Sequence, residues 1–432
     1  MGERGNNQRA AARTRKMRAR SYRLIRFFVS IILIVGAFAV GFMVRDYPSF
    51  LQSLGFPESV TGLPKTSPTD ANANQKDVFN SLAPRVAEVE DILANDSLDQ
   101  YDLYAVTERT MKAFSDSTND PYLRYYSAER YKELMNDQDE GYAGVGVLFS
   151  EYNGQAYVVD VFEESPAQLE GVQEGDFVVS VNGDRSQSWS RSEVAAVLSQ
   201  SQGSTVVITW RRPESLEASG GEEFTTSLLC EEYRETNVTA EYDGERAVGY
   251  IKVQQLTQNA APLAQSAIES LTGQGARALV LDLRNDPGGY LSQAVGLASL
   301  FLGSGNVVVV KTKDGESAKT ATGQPVWDGP LVVITNRNTQ SGAEVVAAAL
   351  KENQRATLVG TTTMGKGSVQ VISQLSFGGA LRYTAAYYLT PQGHDINTVG
   401  VEPEITLDMS EEGDSQRDFA TELAASMIVD QP

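Results

Sequence analysis

The sequence predicts an α+β multidomain chain: an N-terminal transmembrane helix, a helical segment, a compact β-rich module and a larger α/β core. Three observations predict it. An uncharged apolar run follows a basic leader, short strands crowd the stretch 142–212, and from 247 onward buried-type strands alternate with helices.

Phe27–Val44 is 18 residues without a charge, flanked by Arg26 and Arg45, just long enough to span a bilayer. Residues 1–26 carry nine Lys/Arg and one Glu, which places them on the cytoplasmic side and exports the remainder. Ala37-Phe38-Ala39 resembles a signal-peptide cleavage site, but the long basic leader favours an uncleaved anchor. Residues 45–77, rich in Pro, Ser, Thr, Asn and Gly, read as a flexible stalk.

Residues 78–138 show helical spacing of Val86, Val89, Ile92 and Leu93, then of Leu103, Val106 and Met111, broken at Asn119-Asp120-Pro121. Residues 139–215 form the β-rich module, with strands at Gly144–Phe149, Ala156–Val161, Asp176–Val181 and Thr205–Trp210. A polar stretch, 213–224, follows as a hairpin or a boundary. The core is 216–410. Its strands Ala278–Leu283, Leu331–Thr335 and Thr357–Val359 are continuous apolar runs interleaved with helices, the pattern of a partly parallel sheet. Residues 411–432 carry a C-terminal amphipathic helix.

Composition excludes several functions. The net charge is −20 although the first 26 residues are basic, so the body is strongly acidic and unlike a nucleic-acid binder. One Cys, Cys230, precludes an intramolecular disulfide. One His, His394, precludes a zinc site of several His/Cys ligands, and any Ser-His-Asp triad would have to use it. His394 lies in a turn and reads as a surface residue. No cofactor or metal is expected.

Chemistry concentrates at three turns. Ser341 opens a helix after the strand Leu331–Thr335, so its hydroxyl sits at the positive helix end and the Gly342 N–H has no intrahelical partner. That N–H suits an oxyanion. The plain alternative is a helix N-cap. Leu283–Tyr290 is a Gly-rich turn from which Gly288 is a second candidate oxyanion donor, or else an ordinary tight turn. Lys366 stands between two glycines after a buried strand. Gly360–Lys366 nearly matches a phosphate-binding loop but has Gly367 where a hydroxyl is required. A buried lysine loses its proton readily and can serve as base to a serine.

On these residues the chain resembles the C-terminal processing (tail-specific) serine protease family, over roughly residues 85–410. The strand Gly249-Tyr250-Ile251-Lys252-Val253, the turn Asp282–Gly289 and the segment Gly365–Gln370 are similar to the family's strand, DLRxNPGG turn and G-K-G-x-V-Q segment. Tyr388-Leu389-Thr390-Pro391 and Val401-Glu402-Pro403 resemble its closing strands. The resemblance implies a crotonase/ClpP-like α/β protease core, with Ser341 as nucleophile, Lys366 as general base and Gln370 orienting the lysine. Departures are Thr339-Gln340 before the nucleophile, Gly342-Ala343 after it, and Asp286 in the NPGG turn. The β-rich module resembles a PDZ domain through Gly144-Val145-Gly146-Val147, Ser165-Pro166-Ala167, Gly175-Asp176 and Val181-Asn182-Gly183. Its Gly144–Val147 edge would capture a polypeptide C-terminus.

The expected function is therefore a serine-type endopeptidase that takes exported proteins by their C-terminal tails and is gated by its PDZ domain. It would sit in the bacterial cytoplasmic membrane with its body outside, and its N- and C-terminal helices are candidate homodimer elements. The rival reading is a catalytically inactive, membrane-tethered peptide-binding scaffold. A crotonase-like acyl-CoA enzyme finds no support, because an exported body meets no CoA.

Overall fold

The computed structural model describes residues 81–118, 120–135, 143–162, 164–232, 237–408 and 413–428. The expected anchor 27–44 and stalk 45–77 lie outside the described residues. Among those described, no helix is long and apolar enough to cross a membrane. The chain divides into two units at Gln100/Tyr101. In the first, the helix Leu82–Asp96 leaves Val89 and Ile92 exposed and buries nothing.

The second unit holds everything else. Its centre is a six-stranded sheet in the order Ile405–Thr406, Thr357–Gly360, Leu331–Thr335, Ala278–Asp282, Val248–Val253, Val238–Asp243. All neighbours are parallel except the last pair. The strands Ala278–Asp282 and Leu331–Thr335 are buried at every position, because helices cover both faces. Ala260–Gln274, Leu291–Ser299 and Gly342–Glu352 pack on one face. On the other lies Ser415–Ser426, with Ala420 and Ala424 against Val280, Val332 and Ile334.

A second, antiparallel sheet centres on the long strand Ala380–Leu389, which pairs with Arg124–Tyr126, Asn306–Thr312 and Ser368–Gln374. In chain order the β-rich module falls between the helical segment and the core. It is a five-stranded antiparallel sheet in the order Val147–Tyr152, Gln155–Val161, Phe177–Val181, Thr205–Arg212, Glu222–Leu229, with its own apolar centre around Phe149, Trp210 and Leu198.

Two expectations need correction. The module does not end at 215: the polar stretch 213–224 is a hairpin, and Glu222–Leu229 returns along all of Thr205–Arg212. Nor is Gly144–Phe149 one strand. Ala143–Gly144 pairs with Glu231–Glu232, and the chain then bends at Gly146, whose φ of 79° suits glycine, before Val147–Tyr152 begins.

One ion pair ties the turn after Ala278–Asp282 to the C-terminal helix. Arg284 donates to Asp282 at 2.5 Å and to Asp414 at 2.6 and 2.7 Å, while Asp282, wholly buried, also accepts from Tyr250 Oη at 2.6 Å. Removing one partner leaves a buried charge unpaired. Arg284→Met is expected to lower the unfolding free energy by about 3–5 kcal/mol, read by denaturant titration.

Candidate active site

Glu344 is the hub of the site. It lies one turn into the helix Gly342–Glu352, wholly buried. Its carboxylate accepts the backbone N–H of Ser341 at 2.8 Å, of Lys366 at 2.8 Å and of Gly365 at 2.7 Å, and the Thr363 hydroxyl at 2.5 Å. One side chain thereby holds the strand-to-helix turn and the glycine-flanked lysine loop together. Burial pushes its carboxyl up to about 7, although each of these donors favours the charged form.

Ser341 itself is strained. Its φ of 52° and ψ of −115° place a non-glycine residue where L side chains are rare, a strain of about 1–3 kcal/mol. The turn 285–289 presses on it. A Cβ at Gly288 would lie 2.8 Å from the Gly342 nitrogen and 2.9 Å from Ser341 Cβ, so this position tolerates only glycine.

The two expected oxyanion donors fare differently. The Gly342 N–H bonds no group among the described residues. The Gly288 N–H does not remain open: it donates to Asp286 Oδ1 at 2.7 Å. An Asp two residues before a glycine can close this small ring. Burial pushes the Asp286 carboxyl well up, and its Oδ2 finds no hydrogen-bond partner among the described residues. The next amide, that of Gly289, bonds no group among the described residues and is 3.6 Å from where a Gly342 Cβ would stand.

Lys366 is half-buried as a residue, but its ammonium is enclosed. Burial brings it down to about 8. Glu151 opposes that shift, and Arg382 and Arg191 add to it. The amine makes no hydrogen bond among the described residues and lies 5.7 Å from the Tyr122 ring centre. Glu344 thus ties the backbones of Ser341 and Lys366 together, and no hydrogen bond joins their side chains among the described residues. Gln370 makes no hydrogen bond to Lys366 among the described residues. Its amide donates to Ser368 Oγ at 3.0 Å and Thr384 Oγ1 at 3.4 Å.

His394 pairs with Glu352 at 3.1 Å, at the far end of the helix that Ser341 begins. At 1.5 Å per residue the helix length is roughly 16 Å, which keeps the histidine from Ser341.

The β-rich module docks directly on this site. Glu151 forms a buried pair with Arg382 at 2.6 Å, and Ser150 and Tyr157 bond the Gln340 side chain. In the bend before Val147–Tyr152, the Val145 and Gly146 amides bond nothing among the described residues, and the strand has a ladder partner on one side only. Val145 and Val147 themselves face the module's core.

Residue-by-residue reading missed Glu344. The signal was present: Ser341-Gly342-Ala343-Glu344 before an apolar run is the Ser-x-x-Glu spacing of a helix start. Glu151 and Arg382, 231 positions apart, carried none.

Comparison with known proteins follows the same division. The peptidase family S41 model matches residues 247–407, and a PDZ domain model matches residues 157–212. A carboxyl-terminal-processing protease of Picosynechococcus sp. is 34% identical over 297 residues, covering 66% of this chain and 69% of that one. One from Synechocystis sp. is 34% identical over 294 residues, covering 66% and 67%. A solved photosystem II D1 C-terminal processing protease superimposes with a TM-score of 0.62 at 26% identity, covering 78% of this chain and 90% of its own.

The pH dependence of stability has a definite sign. Glu344, raised in the folded protein from its ordinary 4.5, stabilises at low pH, and this is lost as pH rises toward about 7. Lys366, lowered from 10.5, costs stability at neutral pH that is regained as pH climbs from about 8 to 10.5. Lys366→Met is expected to flatten the alkaline limb of a melting-temperature profile. Glu344→Gln, which sets an amide NH₂ against backbone donors, is expected to slow fluorophosphonate labelling of Ser341 by at least about tenfold.

Proposed function

This chain belongs to the carboxyl-terminal-processing serine proteases of peptidase family S41 with a PDZ domain, and on that premise we propose that it cleaves exported polypeptides near their C-termini through a Ser341–Lys366 dyad. The observation that carries this reading is the shared Glu344 carboxylate, which accepts the amides of both residues at 2.8 Å.

The neutral Lys366 amine takes the Ser341 Oγ proton as Oγ attacks the scissile carbonyl. The oxyanion is received by the Gly342 N–H and, with Gly288 held by Asp286, by the Gly289 N–H. Lys366 then gives its proton to the leaving amine, and water clears the acyl-enzyme. Gln370 is assigned the orienting role through its side-chain carbonyl, since its NH₂ donates to Ser368. Tails are taken at the Val145–Gly146 amides, where a carboxylate finds donors that bond nothing among the described residues, beside the outermost strand of the PDZ sheet. The basic leader and the apolar run 27–44 support a single-pass anchor with the body outside the cell. The exposed Val89 and Ile92 support self-association through the helix Leu82–Asp96.

Ser341→Ala and Lys366→Ala are each expected to abolish cleavage of an unstructured protein with an apolar C-terminal tail. Full activity in either variant overturns the dyad, and an inert wild type returns the peptide-binding scaffold. Wild-type activity is expected to rise through about pH 8, as Lys366 becomes neutral, and to survive chelators.

A further inference from the structure

The residue before the nucleophile departs from the family's small residue, and the structure gives that departure a partner. Gln340 is wholly buried although polar. Its side-chain carbonyl accepts the Ser150 hydroxyl at 2.5 Å, and its side-chain NH₂ donates to the Tyr157 hydroxyl. Both partners belong to the PDZ domain, on the neighbouring strands Val147–Tyr152 and Gln155–Val161. The Gln340 backbone is held as well, its N–H donating to the Asp286 carbonyl at 2.9 Å. Two residues upstream, Asn338 donates to the PDZ residue Glu174 at 2.6 Å. The loop that sets Ser341 is therefore gripped from the core side by Asp286 and from the PDZ side by three residues.

We propose that Gln340 is a positioning residue through which the docked PDZ domain holds Ser341 in its reactive backbone conformation. This rests on Ser341 being the nucleophile. A serine at φ 52° persists only where its surroundings overdetermine it. Its own residue supplies one such restraint, the Ser341 N–H to Glu344. Gln340 supplies the restraint on the preceding peptide unit. A small residue at 340 makes neither side-chain bond, so a family member with alanine there must fix its nucleophile by other means. The strand that carries Ser150 is the one proposed to receive the substrate tail. The clasp therefore couples tail capture to the nucleophile by a single side chain.

The test measures Ser341 acylation by a small fluorophosphonate, which needs no PDZ capture, alongside kcat and KM for a short peptide. Gln340→Ala and the isosteric but apolar Gln340→Met are both expected to slow acylation by about ten- to a hundredfold, lowering kcat with little change in KM. Ser150→Ala/Tyr157→Phe, which leaves the core untouched, is expected to produce the same loss. Adding it to Gln340→Ala is expected to change nothing further. Wild-type acylation rates in the folded Gln340 variants overturn the proposal, as does full additivity of the PDZ and Gln340 changes. Rescue by methionine overturns it too, because packing alone would then suffice. Melting temperatures identify variants that fail to fold; for any such variant the PDZ double variant decides. If Ser341→Ala still labels, it is the dyad reading that fails.

Discussion

The buried carboxylate of Glu344 is the constraint on which the rest of the site depends. Ser341 and Lys366 come from different loops, beyond the ends of the adjacent parallel strands Leu331–Thr335 and Thr357–Gly360. Parallel neighbours bring their carboxyl ends together, which creates the crevice but does not set the loops within it. Glu344 does so by accepting one N–H from the serine loop and two from the lysine loop. An ionised carboxylate so deep in the core is stable only with several donors. Four donors supply that here, and the same four become immobile.

Burial acts twice more at this site, each time toward the neutral form. It lowers Lys366, making a neutral amine accessible near pH 8, and raises Asp286, one of whose oxygens has no hydrogen-bond partner among the described residues. The PDZ domain contributes to this environment. Glu151 stays below the usual carboxylate range despite its burial, because Arg382 and Lys366 outweigh desolvation. The domain is fastened beside this pair by Arg124, the ladder partner of Arg382, and by Arg130, both bonded to Glu193. Its position over Ser341 and Lys366 is therefore held by one cluster of ion pairs. Such pairs demand one geometry more strictly than apolar packing does.

Legibility followed range. The core strands were readable because burial on both faces leaves continuous apolar runs, as at Ala278–Asp282 and Leu331–Thr335. Ser341, Gly342 and Lys366 were nominated from strand–turn–helix spacing and glycine flanks. The hairpin at 213–224 was readable as an alternative only, since a polar turn does not reveal whether its second strand joins the same sheet. Gly288 was nominated as a donor from backbone freedom, but local spacing does not say that Asp286 takes its N–H. The Gln370 amide bonds Ser368 and Thr384, and the second of these, 14 positions away on a neighbouring strand, has no local signature.

By itself the sequence determined the order and type of the elements, the glycines at the two turns and the absence of a histidine suited to a triad. These depend on local propensity and periodicity, which short stretches of chain carry. Only the tertiary structure decided which groups meet: Glu344 with the lysine loop, Gln340 with Ser150 and Tyr157, Glu151 with Arg382. Those partners lie from 19 to 231 positions apart. Their pairing follows from how the parallel sheet and the PDZ domain pack, and no local pattern of residues encodes it.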